Sequence, residues 1–387
     1  MAKPFGLYIH WPFCLKKCPY CDFNSHVRER IDEDHWHEAM LRELETAAAE
    51  LPQDFELQSI FFGGGTPSLM PPRITAALIE RARTLWPTTR DLEVTLEANP
   101  STVERARFQA FHDAGVNRLS IGIQALNDAD LKMLGRLHDA PTALQALEAA
   151  KQVFTRVSFD LIYARPGQSL EAWREELTQA LDLSAGHLSL YQLTIEPGTA
   201  FATLYQRGEL RLPEDQLAGD LFELTQELAQ AAGLPAYEIS NHARPGQESR
   251  HNLIYWRMQD YLGIGPGAHS RLHFGSEDVR IIRRHRAPEV WLSRVQDQGH
   301  GTEESVAVTK DQQVTEILMM GLRLAEGVPA ARLKTIAPQA WQALTTSSAV
   351  KDLIEEGYLT LTQDRITATP AGRQRLNLVL QHLLRDL

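Results

Sequence analysis

The sequence predicts an α/β protein: a partial (β/α)6 barrel followed by a small winged-helix-like α+β domain. Three observations lead there. Short β-type runs recur six times in the first 193 residues, separated by longer amphipathic stretches, the alternation that builds βαβ units and a parallel sheet. Residues suited to chemistry (Cys14, Gly64, Glu97, Gln124, Asp160 and Thr194) fall at or just past the C-terminal ends of those runs. Parallel α/β folds place their sites at that face, and six strand ends converging on one place suit a curved barrel better than a flat sheet. After about Thr199 the alternation stops.

The runs are residues 7–10, 59–62, 92–97, 118–123, 156–161 and 187–193. Residues 32–51 and 141–154 carry helical periodicity between them. Ser101 followed by Glu104 reads as a capping box, with Gly115 stopping that helix. Residues 217–232 read as a long helix ended by Gly233, and segments containing Pro and Gly then run from 237 to about 301. From 311 to 387 helices surround a strand pair, 359–362 and 365–369, with Pro370 opening a last helix. The expected division is 1–235 for the barrel, 236–304 for a connecting region and 305–387 for the winged-helix-like domain.

Composition limits what such a chain does. A length of 387 residues exceeds one typical domain, and 43% hydrophobic content suffices for a large core. A net charge of −11 disfavours nucleic acid, which is bound chiefly by neutralising phosphates. The start MAKPFGLYIH lacks the basic and long apolar segments of a signal peptide, and no run is long and apolar enough to span a bilayer. Three cysteines in one loop make no disulfide framework, so a reducing, cytoplasmic setting is expected.

Those cysteines, Cys14, Cys18 and Cys21 in HWPFCLKKCPYCDFNSH, carry the strongest chemical signal. Iron–sulfur clusters take soft thiolate ligands, and no fourth cysteine exists to complete a set. A cluster held by three thiolates keeps one iron open, as a catalytic zinc keeps one position open. A structural zinc loop completed by His10 or His26 is the plainer alternative, but zinc loops usually pair two cysteines with a second, distant pair, and none exists here.

The other candidates are weaker singly. Gly63, Gly64, Gly65, Thr66 and Pro67 let a ligand approach backbone, and no P-loop lysine follows them. Glu97, Gln124, Arg136 and Asp160 are polar residues that, one at a time, are more often structural hydrogen bonders. In HNLIYW, His251 and Tyr255 stand four apart and share a face if helical; imidazole and phenolate both ligate haem iron, though a satisfied pair at a domain junction is the commoner case. The segment GIGPGAHS, with His269, suggests another close backbone approach. His35 and His37 lie on a polar helix.

Together, YIHWPFCLKKCPYCDF, FFGGGTPS, LEANP, SIGIQ, DLIYARPGQ, YQLTIEPGT and HNLIYW resemble the HemW family of radical S-adenosylmethionine (SAM) haem chaperones, over nearly the whole chain. The resemblance implies that Cys14, Cys18 and Cys21 hold a 4Fe–4S cluster whose open iron chelates SAM, and that one electron cleaves a sulfur–carbon bond. It implies SAM contacts at Tyr8, Tyr20, Gly64, Gly65, Thr66, Glu97, Gln124, Arg136 and Asp160, with Thr194 near them. His251 and Tyr255 fall in the motif associated with haem. The implied function is haem binding and delivery to an acceptor haemoprotein, a membrane-bound respiratory enzyme among the candidates, with peripheral membrane contact. The related oxygen-independent coproporphyrinogen III oxidases supply the alternative, a radical decarboxylase. Those enzymes carry a further cysteine two residues after the third ligand, where this chain has Phe23, and a longer segment before the cysteine loop. The Gly-Leu-Pro usual after the fifth strand reads Ala164, Arg165, Pro166 here.

Overall fold

The computed structural model describes residues 3–52, 54–275 and 278–385. Strand β1 (Lys3–Trp11) is followed by a short parallel pair, β2 (Phe13–Cys14) and β3 (His26–Val27), that brackets the cysteine loop. Then β4 (Phe55–Gly64), β5 (Thr88–Ala98), β6 (Arg118–Gln124), β7 (Arg156–Tyr163) and β8 (His187–Gln192) alternate with helices. The order β1-β4-β5-β6-β7-β8 is sequential and every pair is parallel, the expected six-stranded (β/α) arc.

The sheet continues beyond that arc. Strand β9 (Asn241–Ala243) pairs antiparallel with β8. On the other edge β10 (Asp260–Ile264) lies parallel to β1, and β11 (His269–His273), β12 (Val279–Arg284) and β13 (Thr302–Ala307) extend it antiparallel, making eleven strands in all. The stretch read from sequence as a connection contributes β9 to β12 and the start of β13 to this sheet. Its strands mix polar and apolar residues, as in RLH or TEESVA, so no long apolar run announced them.

Alternation sorts the residues of the arc onto two faces. Phe5, Leu7, Ile9, Ile60, Phe62, Val94, Leu96, Leu119, Ile121 and Phe159 point outward into a core shared with Trp36, Met40, Leu44, Leu78, Leu147 and Trp173 of the surrounding helices. Each such buried side chain contributes roughly 1.5–3 kcal/mol. The inner face is polar: Ser59 stands beside Glu93, Thr95 beside Arg118, Arg118 beside Arg156, Ser120 beside Ser158, and Asp160 beside Ser189.

Helix Glu33–Glu50 starts at the Asp32 cap and carries Glu43, fully buried. Glu43 accepts hydrogen bonds from Gly265 N (2.8 Å), Trp291 Nε1 (2.9 Å) and Gly301 N (2.7 Å), tying the barrel helix to the added strands. The expected helix from Ser101 divides into Thr102–Arg105 and Phe108–Asp113, with the Ser101 cap in place and Gly115 left-handed at φ +103°.

The C-terminal domain has its own core, built from Val314, Ile317, Leu318, Leu333, Leu344, Val350, Leu353, Ile366 and Leu380. Three helices, Ala330–Ile336, Pro338–Thr346 and Ser348–Glu355, pack against a small sheet in which β14 (Val328–Pro329) and β15 (Leu359–Leu361) flank β16 (Arg365–Ala368).

Candidate functional site

The cysteine loop caps the C-terminal ends of the arc. It leaves β1 at Trp11, whose carbonyl accepts from Gly65 N (2.7 Å), and Phe13 O accepts from Thr66 N (2.9 Å). The glycine turn after β4 therefore locks against the base of the loop. Gly64 has φ +116°, and a Cβ there would strike the His10 ring at 2.7 Å; a Cβ on Gly65 would meet Pro12 and Phe13 backbone at 2.8 Å. Only glycine fits either position.

From this junction a chain of hydrogen bonds crosses the site. Thr66 Oγ1 donates to Cys14 Sγ (3.4 Å) and accepts from Asn99 Nδ2 (3.2 Å). Asn99 Oδ1 accepts from Arg136 Nη2 (2.6 Å), which also donates to Gly122 O (2.8 Å). Arg136 Nη1 reaches Cys18 Sγ and Tyr20 Oη, each at 3.4 Å. Five of the candidates, Cys14, Cys18, Tyr20, Thr66 and Arg136, thus share one network. Asn99, which joins its two halves, was missed by reading for single residues; its only signal was its place in LEANP.

Beneath the loop lie Tyr8, Glu97, Gln124 and Asp160. Burial and then the neighbouring Asp160 push Glu97 up to about 8, although Gly64 N–H donates to it. Burial raises Asp160 to about 6 against the pull of Ser189 and Arg118. Arg118 is itself buried and donates to Ser158 Oγ (3.0 Å). Gln124 sits at φ +79°, a strained position for a non-glycine residue, with its amide beside Gly122 and Arg136. Thr194 lies exposed just past β8.

Tyr8 Oη lies 2.9 Å from His10 Nδ1, and His10 Nε2 lies 2.9 Å from Asn24 O. Burial lowers His10 to about 4, so its ring is neutral. Nε2–H then donates to the carbonyl, and Nδ1 accepts from Tyr8. His10 is therefore a positioned member of the site and not a free zinc ligand. His26 Nε2 is 3.2 Å from Asn24 Oδ1.

The HNLIYW helix, Arg250–Trp256, enters the inner face of the arc. His251 and Tyr255 do share a face, with His251 Nε2 and Tyr255 Oη 2.8 Å apart. His251 Nδ1 is also engaged, 2.8 Å from Ser59 Oγ, and its ring stacks on Phe61 at 4.9 Å. Burial lowers His251 to about 3. The helix is held from below by the buried carboxylate of Glu93, which accepts from Arg250 N (3.2 Å), His251 N (3.1 Å) and Arg156 Nη1 (2.6 Å). Gly6 leaves room for it; a Cβ there would lie 2.6 Å from Ile254.

The departure at 164–166 has a local explanation. Ala164 keeps the left-handed turn at φ +56°. Arg165 turns inward, donating to Ile162 O (2.7 Å) and pairing with Glu176 (2.5 Å) and Asp130 (2.8 Å). Its two terminal nitrogens are committed to these partners, and its Nε is buried without one.

These residues fit the groups that such a loop would hold. The donor set is three free thiols on one loop, soft ligands of the kind iron–sulfur clusters use. Among the described residues no three ligating side chains are drawn to a single metal point. A cubic cluster does not ask for that, because its thiolates bind separate irons. Arg136, whose Nη1 reaches Cys18 and Tyr20, has its Nε buried without a partner.

A three-thiol loop over a parallel six-stranded arc, with a glycine turn and buried carboxylates below it, defines a radical SAM protein. The radical SAM superfamily model matches residues 8–180, and the HemN C-terminal domain model matches 308–375. The heme chaperone HemW of Escherichia coli (strain K12) is 39% identical, the match covering 99% of each chain. HemW of Bacillus subtilis (strain 168) is 33% identical over 98% of this chain and 99% of its own. The mitochondrial radical S-adenosyl methionine domain-containing protein 1 of Mus musculus is 39% identical over 99% of this chain and 88% of its own. The solved structure of the Escherichia coli coproporphyrinogen III oxidase, HemN, matches with a TM-score of 0.81 at 22% identity, covering 100% of this chain and 91% of that one, and shares the fold. The chain belongs to the radical SAM superfamily and, within it, to the HemW family. With that superfamily come a 4Fe–4S cluster and SAM.

Proposed function

We propose that this protein is a haem chaperone: it binds haem and passes it to a haem-requiring acceptor protein, with a 4Fe–4S cluster and SAM at the mouth of its barrel. Full-length similarity to proteins named heme chaperones supports the reading. The observation that carries the cofactor part of it is the hydrogen-bonded chain from Cys14 through Thr66, Asn99 and Arg136 to Cys18 and Tyr20.

In this reading Cys14, Cys18 and Cys21 hold three corners of the cluster. Gly64, Gly65 and Thr66 offer backbone to the methionine end of SAM. Arg136, with its spare Nε, takes a carboxylate, while Glu97, Gln124 and Asp160 accept from ammonium or ribose hydroxyls. Tyr8, Tyr20 and Thr194 border the nucleoside. Cluster and SAM supply one-electron chemistry at a sulfonium when bound. His251 and Tyr255 serve haem. The acceptor is a respiratory haemoprotein, reached from the cytoplasm by peripheral contact with the membrane. No helix among the described residues is long and apolar enough to cross one.

Anaerobic reconstitution followed by haem titration tests the proposal. It expects saturable haem uptake with a Soret band, altered by SAM, and no conversion of coproporphyrinogen III. Protoporphyrinogen formation with SAM and a reductant would make the protein the oxidase instead.

A further inference from the structure

We infer that Glu104, which bonds none of the three cysteines, is a positioning residue for SAM binding: its carboxylate holds the glycine turn after β4 and the Asn99 turn after β5 in register beneath the cysteine loop. The inference deepens the cofactor site proposed above and rests on that reading.

Glu104 stands at the third position of the helix Thr102–Arg105, behind the Ser101 cap. In a capping box the side chain of such a glutamate reaches back to the N–H of the cap residue itself. Here Ser101 N donates to Asn99 O instead (2.9 Å), and the carboxylate reaches past it. Glu104 Oε2 accepts from Asn99 N (2.7 Å) and from Ser68 Oγ, and Oε1 accepts from Ser101 Oγ (3.3 Å). Glu104 is 1% exposed and Ser68 is fully buried. Burial pushes the Glu104 carboxyl up, and its donors Ser68, Asn99 and Ser101 pull against that. A carboxylate taken out of water costs stability unless such donors meet it. An exposed glutamate would cap the helix at less cost, so the burial answers to the segments that the carboxylate joins.

Those segments carry the site. Ser68 lies two residues beyond Thr66, in the 3-10 turn Pro67–Leu69. Thr66 opens that turn but spends no side-chain bond on capping it. Its hydroxyl is left for Cys14 Sγ (3.4 Å) and Asn99 Nδ2 (3.2 Å). Asn99 therefore meets Thr66 through its side chain and, through its N–H, the same carboxylate that fixes Ser68. Asn99 Oδ1 in turn sets Arg136 Nη2 (2.6 Å). Three residues on from Glu104, Arg107 grips the turn by its backbone, donating from Nη1 to Ser68 O (2.9 Å) and from Nη2 to Met70 O (3.0 Å). Without the carboxylate, Ser68 Oγ and Asn99 N–H lose their acceptor in a buried place, and the two turns lose the tie that fixes the spacing of Thr66 and Asn99.

The test is calorimetric titration of SAM into the reconstituted full-length protein, with iron and sulfide content measured to show that each variant carries its cluster. Glu104→Ala weakens SAM about tenfold, while Glu104→Gln, which keeps an acceptor oxygen, stays within about threefold of the parent. Ser68→Ala, a milder change that removes one hydroxyl, weakens SAM about threefold. Because Glu104 acts through Asn99, Glu104→Ala combined with Asn99→Ala binds SAM more tightly than the product of the two single losses predicts. General loss of structure gives neither the rescue by Gln nor that coupling. Parental affinity in Glu104→Ala overturns the inference, as do losses that simply multiply in the double variant. Should Glu104→Ala take up no cluster, Ser68→Ala decides, and parental affinity there overturns it. With Arg136→Ala weakened and Glu104→Ala parental, only this role is lost; with both parental, the proposed SAM site is lost as well.

Discussion

Glu93→Gln is the sharpest perturbation of the scaffold that carries the HNLIYW helix. Glu93 is 1% exposed and receives the Arg156 guanidinium and two N–H groups of the helix start. Arg156 also grips the preceding segment through Gln247 O (3.3 Å) and Glu248 O (2.8 Å). The amide keeps the shape and one acceptor but removes the charge. Breaking a buried pair by removing one partner costs about 3–5 kcal/mol. The Arg156 side chain retains 20% exposure, so water recovers part of that, leaving a cost of about 2–4 kcal/mol. Glu93→Ala also loses the two N–H acceptors at about 1 kcal/mol each. Urea denaturation measures the total, and hydrogen exchange at residues 249–257 localises it. Pairing Glu93→Gln with Arg156→Met recovers part of the loss, since no charge is then stranded. A Glu93→Gln protein within 0.5 kcal/mol of the parent (about the scatter of neutral surface changes), with unchanged exchange in the helix, would refute this account of how the helix is held.

Other outcomes follow from the same geometry. Glu97 and Asp160 are both raised, from 4.5 and 3.8 to about 8 and about 6. The folded protein therefore keeps protons that the unfolded chain releases. Its stability is full below about pH 4 and falls as pH rises to about 8, by a few kcal/mol at most because both side chains remain partly accessible. Glu97→Gln removes most of that slope in cofactor-free protein, and an unchanged pH profile of denaturation contradicts it. Ala164→Gly relieves a left-handed alanine and raises stability by about 0.5–1 kcal/mol in urea melts, the strain relief exceeding the added chain entropy; a drop in stability counts against strain there. Asn99→Ala cuts the chain between Thr66 and Arg136. Isothermal titration of SAM into reconstituted protein should show roughly tenfold weaker binding, and parental affinity excludes Asn99 from the site.

Much of the barrel was legible because its strands are apolar on the helix-facing side and its glycines stand where backbones touch. The run at 59–62 lies inside the longer β4 (Phe55–Gly64), and the GGGTP turn marked where that strand ends. The cysteine spacing was legible because no other thiol competed with it. What stayed hidden obeys a different logic. Glu43, Glu93 and Arg118 are charged residues, which sequence patterns assign to the surface, yet each is buried with partners far away in the chain. The strands from 260 to 307 are short and amphipathic, and only their pairing partners make them a sheet edge. The helical spacing of His251 and Tyr255 was readable. Their enclosure by Ser59 and Phe61 was not, because it depends on Gly6 leaving room in a neighbouring strand.

The central claim is a cluster on three thiolates with one iron left for SAM. Anaerobically reconstituted protein, assayed for iron and acid-labile sulfide and examined by electron paramagnetic resonance after reduction, tests it directly. The account predicts iron and sulfide in 4Fe–4S proportion, a cluster signal that changes shape when SAM is added, and loss of both metal and sulfide in Cys14→Ala, Cys18→Ala or Cys21→Ala. Zinc without sulfide, or a cluster signal indifferent to SAM, would contradict it.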